Sequence, residues 1–280
     1  MIQEAKDFDV NEFKYQMSIE GPDKHSWKIF DIKYYENDIE KFEKFYTGEI
    51  QLGPIKITRQ FLKCDDRLAK TKHDDEYFAY YTKMENTEYS EDQTVATMVL
   101  IHGFCENSSV SFFEMGLHHA LNGLEVHMID QKCFGYTHGA RCSKYTVYDM
   151  HEQIGTCLQQ VKSNRPLFML GHSMGSMNIT TFLAKNPQIK PTAVILSAPF
   201  FEYAQMNEVG FIKQLLVKSL KPLGDELILN PILQAHWVCH DKNYWRRLNE
   251  FDGTVAPFIN AKIADSMGEA IRDIKANTHK

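Results

Sequence analysis

Short runs of consecutive apolar residues recur along the middle of the chain, separated by segments whose apolar residues return every three or four positions. The four runs are 98–101, 126–129, 167–170 and 193–196. A run that is apolar at every position predicts a strand buried on both faces, whereas the wider spacing predicts an amphipathic helix. Strands that alternate with helices predict an α/β fold: a mostly parallel sheet with helices on both faces.

Apart from the segment through Ile179, Phe182 and Leu183, three segments carry the helical spacing. They are 112–121, which precedes a Gly123 helix stop; 147–161, through Val147, Met150, Ile154, Cys157, Leu158 and Val161; and 259–274, through Ile259, Ile263, Met267, Ala270, Ile271 and Ile274. Two β-rich stretches, 55–58 and 77–81, come before the first apolar run, and polar turn residues follow the second. These two stretches predict an antiparallel start to the sheet.

Residues 1–50 differ from the rest of the chain because they are acidic and rich in aromatic residues. Aromatic side chains dominate burial energetics whether they pack on their own domain or on a partner. Two interpretations therefore stay open for this extension: a segment wrapped on its own domain, or a docking site for a protein partner. The remaining pattern predicts an α/β core at 51–201 and the start of a C-terminal core helix at 251–280.

Composition excludes several classes of protein. Of the 280 residues, 43% are hydrophobic and 24% are charged, which is typical of a soluble globular protein with one sizeable core. The formal net charge of −6, with Lys and Arg scattered, predicts no nucleic-acid partner. The start lacks the features of a secretory signal, and no run of about 18 apolar residues occurs, so we expect a cytoplasmic protein without a membrane span.

The six cysteines predict free thiols, because none has C-x-x-C spacing and they lie far apart. They are Cys64, Cys105, Cys133, Cys142, Cys157 and Cys239. Neither a zinc site nor a dense disulfide framework is indicated.

The segment Gly171-His172-Ser173-Met174-Gly175 fits the pattern G-x-S-x-G between an apolar run and a helical pattern. That setting is typical of a nucleophile elbow, which projects a serine hydroxyl from a tight turn. The two glycines leave room for neighbouring backbone. At the start of a helix, the Met174 N–H faces negative charge that develops beside Ser173. The alternative is that Ser173 is an ordinary helix N-cap.

A second hydrogen-bond donor is expected from His102-Gly103-Phe104, which directly follows the run at 98–101. A resemblance to a known family is carried by three motifs: VLIHGFCENS at 99–108, Asp130-x-x-Cys133-x-Gly135-x-Thr137, and GHSMGS at 171–176. With them, the chain resembles the monoglyceride lipase and lysophospholipase branch of the α/β-hydrolases, often labelled serine aminopeptidase S33-like. The resemblance covers about residues 75–280.

The resemblance implies an acyl-ester or lipid substrate, no cofactor and no metal. It also implies an oxyanion hole made by the backbone N–H groups of Phe104 and Met174, with His102 and Gly103 shaping the loop. We expect His102 to bond nearby backbone rather than to transfer protons. The family usually has glycine at position 133 and serine at position 137, where this chain has Cys133 and Thr137. We interpret Cys105 and Cys133 as inert small hydrophobes near the site.

By the same resemblance, residues 202–250 form a helical cap. Its segment from Val209 to Leu220 is too apolar for one buried stripe, so it lines an acyl-chain tunnel, contacts a membrane surface peripherally, or packs on the core. Asp241 is interpreted as structural. Arg246 and Arg247 either hold a phosphate head group or form a solvated face.

The triad acid and histidine are expected to be missing. In this fold they follow the serine in chain order, on later strands. In relatives, the acid-bearing strand begins about where this chain ends, so we expect the C-terminal strands to be absent. His236, His240 and His279 adjoin no predicted strand. We therefore expect no histidine nitrogen within reach of the Ser173 hydroxyl, and a sheet edge that is exposed or covered by another segment or chain.

The leading hypothesis is a serine hydrolase of acyl esters, of the monoacylglycerol lipase or lysophospholipase type, incomplete or inactive as this 280-residue chain. One alternative is a non-catalytic hydrolase-fold protein with a structural or interaction role. Another is a small-molecule esterase without lipid preference, which would differ only in its cap.

Overall fold

The computed structural model describes residues 47–64, 78–104, 106–132, 134–137, 146–162, 164–202, 228–229 and 259–277. Its strands are β1 (Gly48–Leu52), β2 (Ile55–Lys63), β3 (Phe78–Asn86), β4 (Ala96–Ile101), β5 (Leu124–Ile129), β6 (Leu167–His172), β7 (Ala193–Ser197), β8 (Ile228–Leu229) and β9 (Ile259–Asn260). Its α-helices are α1 (Ser108–Ser111), α2 (Phe113–Leu121), α3 (His151–Leu158), α4 (Met174–Lys185) and α5 (Ala261–Asn277), with a 3-10 helix at Glu91–Gln93.

Seven strands form one mixed sheet in the order β1-β2-β3-β5-β4-β6-β7. The four apolar runs of the sequence are β4 to β7, and these four strands are mutually parallel. The two earlier β-rich stretches are β2 and β3, which pair antiparallel, and β3 pairs antiparallel with β5. Both the α/β class and the antiparallel start of the sheet are therefore confirmed.

Strand β4 shows why these strands are apolar at consecutive positions, since all six of its residues are buried. Met98 and Leu100 join an apolar cluster that includes Leu117 of α2. Val99 and Ile101 point the other way, into a cluster that α3 and α4 share. Successive side chains of a strand alternate between faces, so helices on both faces require both sets to be apolar.

Helix α3 is shorter than the pattern at 147–161 predicts, because residues 147–150 form a tighter turn before it. The Asp149 carboxylate accepts hydrogen bonds from the Thr146 amide (2.6 Å) and the Thr146 hydroxyl (2.9 Å). The Met150 amide bonds the Val147 carbonyl three residues back, at 3.3 Å. A bond from an amide to the carbonyl three residues back closes a 3-10 turn, which is common at helix starts. Residues 147–150 therefore keep the apolar spacing of the sequence without being α-helical.

Helix α5 confirms the last helical pattern, apart from Ile259, which lies in β9. β9 pairs antiparallel with β8. The helix buries Ile263, Met267 and Ala270 against Met174 and Met177 of α4. The C-terminal helix is thus part of the support of the predicted nucleophile elbow.

The β7 edge of the sheet is exposed. All five β7 residues are solvent-exposed, with Ile195 at 44%. Within the described ranges, β7 pairs only with β6. Among the described strands, β7 is therefore an apolar edge strand, and such an edge is a template for further strand pairing.

Several sequence predictions fall outside the described residues. These are the interpretation of residues 1–46, most of the 202–250 cap, and the histidines His236, His240 and His279. Cys105, Cys133, Cys142 and Cys239 also lie outside them. In the part of the chain that is described, no helix is long and apolar enough to cross a membrane.

A chain of buried polar groups ties the antiparallel part of the sheet to the parallel part. The Tyr81 hydroxyl is 2.6 Å from His127 Nδ1, and His127 Nε2 is 2.9 Å from the Glu125 carboxylate. Lys83 and Arg165 approach the same carboxylate at 3.0 and 3.4 Å. Burial opposes ionisation of Glu125, but the bonds from His127 and Lys83 outweigh it and lower the pKa of Glu125 to about 2.

We predict that Glu125→Gln lowers the free energy of unfolding by about 3 kcal/mol at neutral pH, because it removes the buried negative charge that faces Lys83 and the Arg165 guanidinium. Glu85→Gln is the matched control, because the Glu85 carboxylate also binds Lys83 but is about one-third exposed. This substitution should lower the free energy of unfolding by less than ~1 kcal/mol.

Urea unfolding across pH provides the measurement. The Glu125 carboxylate has a depressed pKa in the folded state, so its contribution is present above its ordinary pKa of 4.5 and is lost as pH falls towards about 2. The difference in free energy of unfolding between wild type and Glu125→Gln should therefore disappear as pH falls through that range. Equal costs for the two substitutions at neutral pH would contradict the prediction.

Candidate active site

Ser173 lies in the turn between the end of β6 at His172 and the start of α4 at Met174. Its backbone has φ +50° and ψ −116°, a strained combination for a residue with a side chain. The Ser173 amide donates to the Ser197 carbonyl at the end of β7, at 2.9 Å. The strand-turn-helix setting and the positive φ are those expected of a nucleophile elbow.

The two motif glycines are required by close backbone contacts. A Cβ at Gly171 would lie 2.6 Å from the Ser176 amide nitrogen. One at Gly175 would lie 2.2 Å from the Ile101 carbonyl oxygen and 2.5 Å from that of His102. The steric reason inferred from the sequence is confirmed, and the second contact shows that the start of α4 rests directly on the end of β4.

The Ser173 side chain does not act as a helix cap, because it makes no capping hydrogen bond to α4. It is partly exposed rather than enclosed. Among the hydrogen bonds of the described residues, none involves the Ser173 hydroxyl, so no described histidine is placed as its base. The expectation from chain order stays a prediction, because His236, His240 and His279 lie outside the described residues.

The loop at 102–104, which follows β4, lies against Ser173. A Cβ at Gly103 would be 3.1 Å from the Ser173 Cβ, so only a glycine permits this approach without displacement. The Phe104 ring meets the Phe134 ring edge-on at a centroid distance of 5.4 Å. The loop therefore brings backbone beside the serine, where the predicted Phe104 and Met174 donors are needed.

His102 is fixed by backbone contacts at both ring nitrogens. Its Nδ1 is 2.8 Å from the Gly103 carbonyl, which can only accept, and its Nε2 accepts from the Gln131 amide at 2.9 Å. These partners define a neutral imidazole, and burial lowers the pKa of His102 in agreement. A ring held in this way serves the loop, as the sequence suggested, and has no nitrogen left for proton transfer.

Gln131 and Asn178 connect this loop to α4, and sequence reasoning missed both. The Gln131 side chain donates to the His102 carbonyl at 2.5 Å and accepts from the Asn178 amide group at 2.5 Å. Both residues are fully buried. The available signal was an amide side chain two residues after the apolar run of β5, where a buried polar group needs a partner.

Asp130 joins the turn after β5 to the start of α1 at Ser108. Its carboxylate accepts from the Ser108 amide (2.8 Å), the Ser108 hydroxyl (2.6 Å) and the Tyr136 amide (2.9 Å). The Thr137 hydroxyl donates to the Asp130 carbonyl at 2.6 Å. Threonine at position 137 thus retains a hydroxyl that bonds the backbone.

Glu106 and His172 form a second pair that sequence reasoning did not single out. The Gly103 amide donates to Glu106 Oε2 at 2.7 Å, and His172 Nδ1 lies 3.0 Å from the same oxygen. The bond to Glu106 raises the pKa of His172 against the effect of burial. Burial opposes ionisation of Glu106, but its bond with His172 leads the contributions that together lower its pKa. Each member of the pair therefore stabilises the charged form of the other, directly beside Ser173.

No group of three or more metal-ligating side chains occurs among the described residues. Cys157 is buried against the sheet, and burial raises the pKa of its thiol. It lies in the apolar cluster beneath α3 and is not a candidate nucleophile.

The sheet order and the elbow after β6, the sixth strand of that order, place the chain among the α/β-hydrolases. It belongs to the Hydrolase_4 family, described as serine aminopeptidase, S33, whose model matches residues 92–280. A comparison with curated proteins finds no match.

Solved structures share the fold at low sequence identity. A soluble variant of monoglyceride lipase from Saccharomyces cerevisiae, in complex with a substrate analog, is 20% identical, with a TM-score of 0.61 over 78% of this chain and 71% of its own. Monoacylglycerol lipase from Paleococcus ferrophilus is 21% identical, with a TM-score of 0.55 over 70% of each chain. A carboxyl esterase from Bacillus coagulans, in complex with glycerol, is 18% identical, with a TM-score of 0.56 over 78% and 73%.

We predict that Ser173→Gly is more stable than Ser173→Ala by about 1 kcal/mol, because glycine removes the strain of the positive φ while alanine retains it. Thr180, inside α4, is the matched site, where the stability difference between the glycine and alanine variants should have the opposite sign. There glycine should be about 1 kcal/mol less stable than alanine.

Chemical denaturation of the four variants provides the measurement. If glycine is the less stable substitution at both positions, Ser173 does not have the strained backbone described above.

Proposed function

We propose that this chain is a serine hydrolase of acyl esters, of the monoacylglycerol lipase or lysophospholipase type, with Ser173 as nucleophile. The observation that carries the proposal is the strained turn at Ser173, with φ +50°, against which the 102–104 loop lies so closely that a Cβ at Gly103 would be 3.1 Å from the Ser173 Cβ. A serine held in this way beside two backbone segments suits attack on a carbonyl carbon.

The proposed reaction has two stages. The Ser173 oxygen attacks the acyl carbonyl and loses its proton to a base, and the N–H groups of Phe104 and Met174 hold the negative charge on the carbonyl oxygen. The ester C–O bond then breaks, the alcohol leaves with a proton, and an acyl-serine remains. Water attacks this acyl group in the second stage and releases the carboxylic acid.

The substrate class is proposed from the family and from the names of its structural neighbours, which include monoacylglycerol lipases and a carboxyl esterase. The apolar segment from Val209 to Leu220 would line an acyl tunnel or contact a membrane surface. A small-molecule esterase would share the elbow and the loop and would differ in residues 202–250.

A non-catalytic role is the second candidate, and one specific observation favours it. Among the described residues, no histidine is hydrogen-bonded to the Ser173 hydroxyl. Serine without a base is a weak nucleophile, and removal of a triad member typically costs orders of magnitude in rate. We therefore propose that the 280-residue polypeptide hydrolyses p-nitrophenyl esters very slowly or not at all by itself.

Added imidazole separates the two candidates, because it can replace a missing base. We predict that imidazole accelerates labelling of the chain by a fluorophosphonate probe, by about tenfold or more, and that Ser173→Ala abolishes the labelling. Gel fluorescence measures the labelling rate. Ser111→Ala provides the matched control for loss of a serine outside the elbow, and its labelling should equal that of wild type.

Each outcome decides between the candidates. Equal labelling of wild type and Ser173→Ala would remove Ser173 as the nucleophile. No labelling at any imidazole concentration would favour the non-catalytic role. Robust ester turnover without imidazole, abolished by Ser173→Ala, would establish the hydrolase and contradict the expectation of a slow reaction.

A further inference from the structure

The Glu106 carboxylate lies between two parts of the candidate site that come from distant parts of the sequence. Gly103 belongs to the loop after β4, and His172 is the last residue of β6, directly before Ser173. Both bond the same Glu106 oxygen, at 2.7 Å from the Gly103 amide and 3.0 Å from His172 Nδ1. One atom thus connects the backbone of the loop to the elbow.

The environment makes this connection stiff. The Glu106 side chain is 10% exposed and that of His172 is 28% exposed, so water competes little for either bond. The carboxylate can only accept, which assigns His172 Nδ1 as the donor. Charge-assisted hydrogen bonds of this kind are about twice as strong as neutral ones.

The loop has a second anchor on its other side. Gln131 bonds His102 at both the ring and the carbonyl, and Asn178 of α4 bonds Gln131. The peptide that carries the Phe104 N–H therefore lies directly after a segment anchored to α4 through Gln131 and to the end of β6 through Glu106. If the Glu106 anchor were removed, the loop would keep its attachment to the helix but lose its attachment beside Ser173.

We propose that Glu106 is a positioning residue, which holds the Phe104 N–H in place relative to Ser173 by bridging Gly103 and His172. The proposal rests on the proposed function, because the position of that N–H matters only if Ser173 attacks a carbonyl. It adds that the reactivity of Ser173 depends on a carboxylate that does not itself contact the substrate.

The titratable side chains near the Glu106–His172 pair are bonded to other groups. His102 is neutral and bonded at both nitrogens, as described above. Asp130 is occupied by Ser108 and Tyr136. Within the described residues, Glu106 is therefore the carboxylate paired with His172.

Two substitutions at Glu106 test the bridge. Glu106→Ala removes it and should lower the rate of fluorophosphonate labelling at Ser173 about 10- to 100-fold at a fixed imidazole concentration, the range expected when an oxyanion donor is displaced. Glu106→Gln keeps an oxygen that can accept both bonds, so it should restore the rate to within about fivefold of wild type. Glu88→Ala, an exposed residue in the turn after β3, is the matched control and should leave the rate unchanged.

A second measurement is independent of reactivity. The pKa of His172, followed by NMR of its ring, should lie above its ordinary value in wild type and fall in both Glu106 variants. Exchange of the Gly103 amide hydrogen should quicken in Glu106→Ala only. If Glu106→Ala does not fold, His172→Ala cuts the same bridge from the elbow side and should slow labelling about tenfold.

The results distinguish failure of the bridge from failure of the proposed function. An unchanged labelling rate in Glu106→Ala, with wild type labelled normally, overturns the bridge alone. If wild type is never labelled, the proposed function fails. An unchanged His172 pKa and an unchanged Gly103 amide exchange rate would then overturn the bridge as well, and changes in both would support it.

Discussion

The candidate site depends on one close backbone contact, where the start of α4 rests on the end of β4. At Gly175 the approach leaves no room for a side chain, because the Ile101 and His102 carbonyl oxygens occupy the space of a Cβ. This contact fixes the height of the helix above the sheet. The turn before the helix must then be short, and Ser173 bridges it with a positive φ that costs about 1–3 kcal/mol.

Polar groups buried around this contact have specific hydrogen-bond partners. The loop after β4 carries amides and carbonyls that burial removes from water, and each unpaired group of this kind would cost about 1–3 kcal/mol. Gln131 and Glu106 supply partners, and Asn178 holds the Gln131 side chain in place. These side chains contribute to the site by satisfying the backbone, so their chemistry alone does not reveal their role.

This distinction decides how much could be predicted from the sequence. Apolar runs and glycine positions follow from burial and steric fit, which are local properties, so β4 to β7 and the turn at Ser173 could be predicted. The Glu106–His172 contact joins residues 66 positions apart and requires the spatial order of β4 and β6. Helix α3 begins later than predicted, at His151. The turn held by Thr146 and Asp149 has the same apolar spacing as a helix, so the sequence pattern does not distinguish the two.

The elbow has supports of unequal strength, and the weaker one lies on β7. On the inner side, the turn is fixed by the close contact between the start of α4 and the end of β4, a fully buried strand. On the outer side, the Ser173 amide donates to the Ser197 carbonyl at the end of β7, and the Phe200 amide donates to the Ser173 carbonyl. Ala198, which lies between Ser197 and Phe200, also has a positive φ of +44°. β7 is an exposed edge strand, and elements with few buried apolar contacts open most readily. The backbone strain at Ser173 is therefore maintained by the β4 contact, and any strand that covered β7 would stiffen the same turn from the other side.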